Sequence, residues 1–140
     1  MDFDFSDDQE QLRDAVRKWV DKGYAFERRR SIEQGGGFSR EAYAELAELG
    51  LSGLYVPDDQ GGMGMGPVEG MVVMEELGRG IVLEPLAQTL IAGAVLSGYA
   101  SDAVKAAWLP RIVGGEALVV LAHQERSARY RLEVCDAKAA

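Results

Sequence analysis

Leu49 to Met65 reads LGLSGLYVPDDQGGMGM. A helix-like segment ahead of it stops at Gly50, an apolar run follows to Val56, and the rest is mostly glycine, aspartate and methionine. The pattern predicts a compact loop between two helices. Gly50 ends the first helix, Leu51 to Val56 lays an apolar segment across a bundle, and Pro57 to Gly66 returns the chain to the next helix. Gly61, Gly62, Gly64 and Gly66 suit left-handed backbone or close backbone approach. The competing reading, a phosphate cradle, lacks the lysine and the preceding strand of a P-loop, and Asp58 and Asp59 repel phosphate.

Working outward, helix signals dominate. Ser6 to Gln9, SDDQ, is a capping box. Leu12, Val16, Trp19, Val20 and Gly23 then recur on one face of a 3.6-residue period. A first helix is expected from about Asp7 to about Arg30, its basic run Glu27-Arg28-Arg29-Arg30 forming a solvated end. Ser39 caps a second helix carrying Tyr43, Leu46 and Ala47 on one stripe. Pro67 opens a third, so apolar from Val68 to Leu77 that neighbours should nearly encircle it, and the GRG at Gly78 to Gly80 stops it. Pro85 opens a fourth. Ser101 caps a fifth, with Val104, Trp108, Leu109 and Ile112 as its buried face and Pro110 as a bend. After Gly114-Gly115 the pattern changes, and Ala117 to about Glu125 reads as a buried strand. One strand alone cannot satisfy its backbone groups, so it is expected to begin a β domain.

Composition bounds the function. A chain of 140 residues is one domain, or one and a piece of a second. A formal charge of −8 argues against nucleic acid and anionic membrane as partners. No apolar run reaches the length that spans a bilayer. Cys135 is the single cysteine, which excludes an internal disulfide, and with one histidine, His123, no metal site is expected. The acidic N-terminus is unlike a secretory signal, so a reducing cytoplasm is the expected compartment.

Five pieces in register carry a family resemblance: FSDDQEQLRDAVRKW from Phe5, ELAELGLSGLYVPDDQGGMGM from Glu45, EELGR from Glu75, KAAWLPRIVGGEALVVLA from Lys105, and HQERSARY from His123. Together they resemble the N-terminal helical domain of the acyl-CoA dehydrogenase family over essentially the whole chain. The resemblance implies an all-α bundle over residues 1–115 and, over 116–140, the first strand and loop of an incomplete middle β domain. It implies α,β-dehydrogenation of an acyl-CoA thioester, with hydride passing to FAD. The family's catalytic glutamate lies in a later domain, so no catalytic residue is assigned here and the chain alone should be inactive.

In the family the fourth helix and its lead-in border the acyl chain, which makes Ala87, Leu90, Ile91 and Ala94 the substrate-binding candidates. Plain bundle core is the alternative reading of the same positions. Matching Glu125 to the glutamate of the family's flavin-contacting motif places Leu121, His123 and Gln124 at cofactor-binding positions. Here Gln124 stands where the family has threonine, and Arg126 to Tyr130 replaces a glycine-rich stretch, so a half-exposed strand histidine remains the other reading of His123. The implied partners are an acyl-CoA, the remaining domains or a partner subunit, and further copies in a homo-oligomer. A non-catalytic helical interaction module, or a partial subunit completing a site with a separate chain, is the alternative.

Overall fold

The computed structural model describes residues 4–131 and 133–138. Among them are six α-helices and no strand: α1 (Asp7–Gly23), α2 (Phe26–Gln34), α3 (Arg40–Glu48), α4 (Pro67–Arg79), α5 (Leu86–Tyr99) and α6 (Asp102–Val113), with 3₁₀ turns at Leu51–Gly53 and Asp58–Gln60. The fold is the all-helical bundle expected.

The Leu49–Met65 passage threads the middle of it. Leu51, Leu54 and Val56 have no solvent exposure, and Leu51 and Leu54 join Val16, Leu46, Val73, Leu77 and Leu90 in the main core. The loop then folds back on this segment. Met63, Gly64 and Met65 donate their N–H groups to the carbonyls of Gly53 (3.0 Å), Val56 (2.8 Å) and Leu54 (2.9 Å). These bonds satisfy a buried backbone that no helix or sheet serves. Gly62 lies so close to Val56 that any Cβ would overlap its carbonyl.

Helix boundaries follow local chemistry with one clear departure. Ser6 caps α1 as a capping box, Gln9 N–H donating to Ser6 Oγ (3.3 Å) and Ser6 N–H to Gln9 Oε1 (3.0 Å). The single helix expected from Asp7 to Arg30 is two, broken at Tyr24 and Ala25. The break lets the Tyr24 ring turn inward, where it is 3% exposed, packs with Ile32 and Ala42, and accepts from the Leu83 N–H at 3.2 Å. The basic run lands on α2 and is only partly solvated. Arg28 donates to Gly23 O (2.7 Å) and to both oxygens of Glu45 (2.7 and 2.9 Å), and Arg29 donates to Gly80 O (3.2 Å).

The α4 stop is unusual. Ile81 N–H donates to Gly78 O and Val82 N–H to Leu77 O, each at 3.0 Å, the Schellman pattern that normally places glycine in the left-handed position. Here that position is Ile81, with φ +51. Gly80 is committed elsewhere: a Cβ on it would come within 2.6 Å of Val20 Cγ1. The close approach of α4 to α1 thus takes the glycine and leaves a β-branched residue in the strained position.

α4 is less enclosed than expected, since Val72, Val73 and Leu77 are buried while Val68 and Met71 face outward. On α6, Leu109 and Ile112 are buried, but Trp108 and Val104 of the expected buried face are about 40% exposed. The strand expected from Ala117 to Glu125 is not formed. These residues pair with no other strand among the described residues, because a ladder needs a second strand and none lies alongside.

Candidate functional site: an open apolar face

Exposed apolar side chains gather along α5, α6 and the segment after α6. α5 turns Ile91, Ala94 and Tyr99 outward, α6 turns Val104 and Trp108 outward, and the chain after α6 adds Leu118, Val120 and Leu121, 38–60% exposed. A groove of about 370 Å³ is lined by Leu96, Val104, Trp108, Leu118, Val119 and Val120. From Leu118 to Ala122 the only main-chain hydrogen bond among the described residues is His123 N–H to Leu121 O (3.1 Å). The segment therefore presents a row of unused donors and acceptors beside an apolar groove, the condition of an edge strand.

The expected site residues are distributed as follows. Ile91, Leu121 and His123 meet with Gln88 around one narrow cleft, so a substrate candidate and two cofactor candidates share a surface. His123 Nδ1 lies 3.2 Å from the Leu121 carbonyl. Gln124 is exposed beyond the cleft and Ala94 is exposed on α5. Leu90 is 3% exposed and belongs to the main core. Ala87 lines a second cavity, about 340 Å³, between the end of α4 and the start of α5. The four α5 candidates thus do not line a common cavity.

Glu125, expected from the resemblance to match a flavin-motif glutamate, closes a turn of its own. Its carboxylate accepts from the N–H groups of Asp136 (2.7 Å) and Ala137 (2.9 Å), and these bonds hold its pKa below the usual range. Ser127 Oγ donates to Asp136 Oδ2 (2.7 Å), and Ala128 is buried beneath.

Other carboxylates are bound structurally. Glu76, 2% exposed, accepts from Arg17 (2.6 and 3.3 Å) and from Arg79 Nε (2.9 Å); hydrogen bonding from Arg17, with help from Arg79, lowers its pKa. Glu45 is lowered chiefly by Arg28 and then by the Trp19 indole, and Glu69 chiefly by Gln9. Carboxylates held this way are weak bases. Among the described residues no cluster of three or more His, Cys, Asp or Glu could hold a metal ion, and no helix is long and apolar enough to cross a membrane.

Two features escaped the sequence reading. The outward turn of Trp108 and Val104 was hidden because helical spacing marks an apolar stripe without saying what covers it. Glu84 lines the 340 Å³ cavity and is 5% exposed, and EP ahead of a helix carries no signal of burial.

The described residues form a six-helix domain with an open apolar face beside a segment that pairs with no strand. Its family is shown by sequence: residues 6–116 match the acyl-CoA dehydrogenase N-terminal domain, and the chain belongs to that family. It is 35% identical over 112 residues to (2S)-methylsuccinyl-CoA dehydrogenase of Cereibacter sphaeroides, covering 78% of this chain and 20% of that protein. It is 32% identical over 130 residues to mitochondrial isovaleryl-CoA dehydrogenase of Pongo abelii, covering 88% and 30%. Among solved structures, a variant of the steroid ACAD Tcur3481-Tcur3483 superposes with a TM-score of 0.77 at 27% identity, covering 85% of this chain and 33% of that one. The ChsE4-ChsE5 complex from Mycobacterium tuberculosis gives 0.70 at 25% identity, over 83% and 30%. The chain thus spans between a fifth and a third of the length of these relatives.

Proposed function

We propose that this chain is the N-terminal helical part of an FAD-dependent acyl-CoA dehydrogenase, walling the acyl pocket of a site whose remaining parts lie outside residues 1–140. The observation that carries the reading is the cleft of Gln88, Ile91, Leu121 and His123, where the acyl-side and flavin-side candidates meet. FAD, when bound, supplies the acceptor for the substrate's hydride. The chain's own contribution is shape and dryness: Ile91 and Leu121 offer apolar surface, while His123 and the unused main-chain groups of Leu118 to Ala122 offer hydrogen bonds. A flat ring edged with donors and acceptors fits that mixture at one margin, and Leu121, His123 and Gln124 would hold that margin. Excluding water at such a face strengthens the polar contacts that stabilise charge developing on a thioester oxygen. The proton-abstracting carboxylate comes from elsewhere, consistent with the arginine-held state of Glu76 and Glu45.

In a second form of the reading, the missing parts reside on a separate polypeptide. It is favoured by the likeness to a structure described as the ChsE4-ChsE5 complex. One experiment tests the function in either form. The protein purified natively from its source cells should carry flavin that acyl-CoA bleaches under anaerobic conditions, whereas recombinant residues 1–140 supplied with FAD and acyl-CoA should show no flavin reduction. Bleaching by residues 1–140 alone, or a native preparation without flavin, would contradict the proposal.

A further inference from the structure

The turn that follows the extended segment carries cations that nothing in the chain uses. Arg126, Arg129 and Arg131 are all exposed, and none makes an ion pair, side-chain hydrogen bond or ring contact among the described residues. Arginines of the bundle are otherwise engaged: Arg17 and Arg79 by Glu76, Arg28 by Glu45, Arg29 by the Gly80 carbonyl. Only Arg30, alone on α2, is also without a partner. The carboxylates of the turn hold its shape instead of neutralising it. Glu125 accepts from the N–H groups of Asp136 and Ala137, and Asp136 accepts from Ser127 Oγ. Glu133, exposed, is the one carboxylate left free among the described residues of 125–136. Arg129 sits in the left-handed region at φ +52, a conformation that costs energy in any residue but glycine. Beside it the Tyr130 ring is 93% exposed.

Guanidinium groups pair with phosphate oxygens, and an exposed aromatic ring stacks on a base. Three unpaired arginines around one bare ring, on a chain of net charge −8, match a ligand that joins several phosphate charges to a base. We infer that this turn binds the adenosine diphosphate moiety of a nucleotide, with Arg126, Arg129 and Arg131 on the phosphates and Tyr130 on the adenine. The inference rests on the dehydrogenase reading only for the source of that moiety, which CoA and FAD both carry. His123 lines the cleft, and the chain from it to Arg126 spans at most about 11 Å. A ligand with its reacting end at the cleft therefore has the turn close by for its diphosphate.

The test is an amide NMR titration of isotopically labelled residues 1–140 in dilute solution with ADP, CoA, FAD, pantetheine and FMN. ADP, CoA and FAD should give saturable shifts centred on residues 125–131, weakening as salt is added. Pantetheine has no phosphate and FMN has neither the adenosine nor a second phosphate, so each should bind about tenfold or more weakly. Arg126→Gln with Arg131→Gln should weaken ADP by about tenfold; both side chains are exposed and unbonded, so the helices should be unaffected. Tyr130→Ala should weaken ADP and leave inorganic pyrophosphate unchanged. Tighter binding of CoA than FAD assigns the turn to the substrate, and the reverse order assigns it to the cofactor; either supports the inference. No saturable shift at the turn with millimolar ADP, full affinity in the arginine pair, or pyrophosphate binding as tightly as ADP would overturn it. Flavin bleaching in the natively purified protein, with no ADP shift at the turn, would sink this inference alone. ADP shifts at the turn, with no flavin in the native protein, would sink the dehydrogenase reading and leave the nucleotide site standing.

Discussion

Ile81 shows how one position records a conflict between neighbours. The α1–α4 contact needs Gly80 for close approach to Val20, and the helix stop needs a left-handed residue next, so a β-branched side chain sits at φ +51. Its side chain is 58% exposed, so little packing is lost on truncation. Ile81→Gly should therefore raise unfolding stability by about 1 kcal/mol, the left-handed penalty less the added chain entropy of glycine. Urea denaturation of the pair checks this, and a loss of stability would mean that the Ile81 side chain contributes packing that outweighs its strain. The GRG motif announced the stop but could not say which residue would bear the turn, because that depends on α1.

At the scale of elements, α1 and α4 are joined by a charge network as well as by apolar contact. Glu76 is gripped by Arg17 and Arg79, and Arg79 also reaches Asp21 (2.8 Å). Its pKa is below the usual 4.5 in the folded chain. The unfolded state therefore binds the proton more readily, so the network's stabilisation is present above about pH 4.5 and is lost as pH falls through the lowered folded value. Glu76→Gln should cost about 1–3 kcal/mol near pH 7, less than for a fully buried pair because both arginines stay half in water. The cost should shrink in acid, where the wild-type carboxylate is itself protonated. Urea midpoints of both proteins at neutral and acidic pH test this; a difference that does not change with pH would remove the charge from the account.

Elements also show what the sequence made legible. Caps at Ser6, Ser39 and Ser101, the stop at Gly50 and the inward run of Leu51 to Val56 were readable because they rest on local hydrogen bonding and patterning. The break at Tyr24 was not, because it exists to place one ring against Ile32 and Ala42 and to meet the Leu83 N–H, both distant in sequence. The strand expected after Gly115 is not formed among the described residues, for a similar reason. Its composition is that of a strand, but forming one requires a neighbour that the described residues do not supply. Of the candidate site, Ile91, Leu121 and His123 were named through family resemblance and line one cleft. Glu84 was not, since burial of a charged side chain depends on the surrounding helices.

For the molecule as a whole, the decisive feature is the uncovered face formed by α5, α6 and residues 118–123. An apolar groove with Trp108 and Val120 at its surface favours association. Residues 1–140 alone should show a concentration-dependent rise in mass by light scattering, suppressed by Val120→Glu with Leu121→Glu. A constant monomer mass over a wide concentration range would argue against an adhesive face. The account's central claim is that this face and its unpaired segment are completed by structure outside the chain. Backbone amide hydrogen exchange at Leu118 to His123 measures it most directly, comparing residues 1–140 in dilute solution with the same residues in the protein purified natively from its source cells. The account predicts fast exchange in the isolated chain and strong protection in the assembled protein; equal rates in the two, or a segment already protected in the isolated chain, would contradict it.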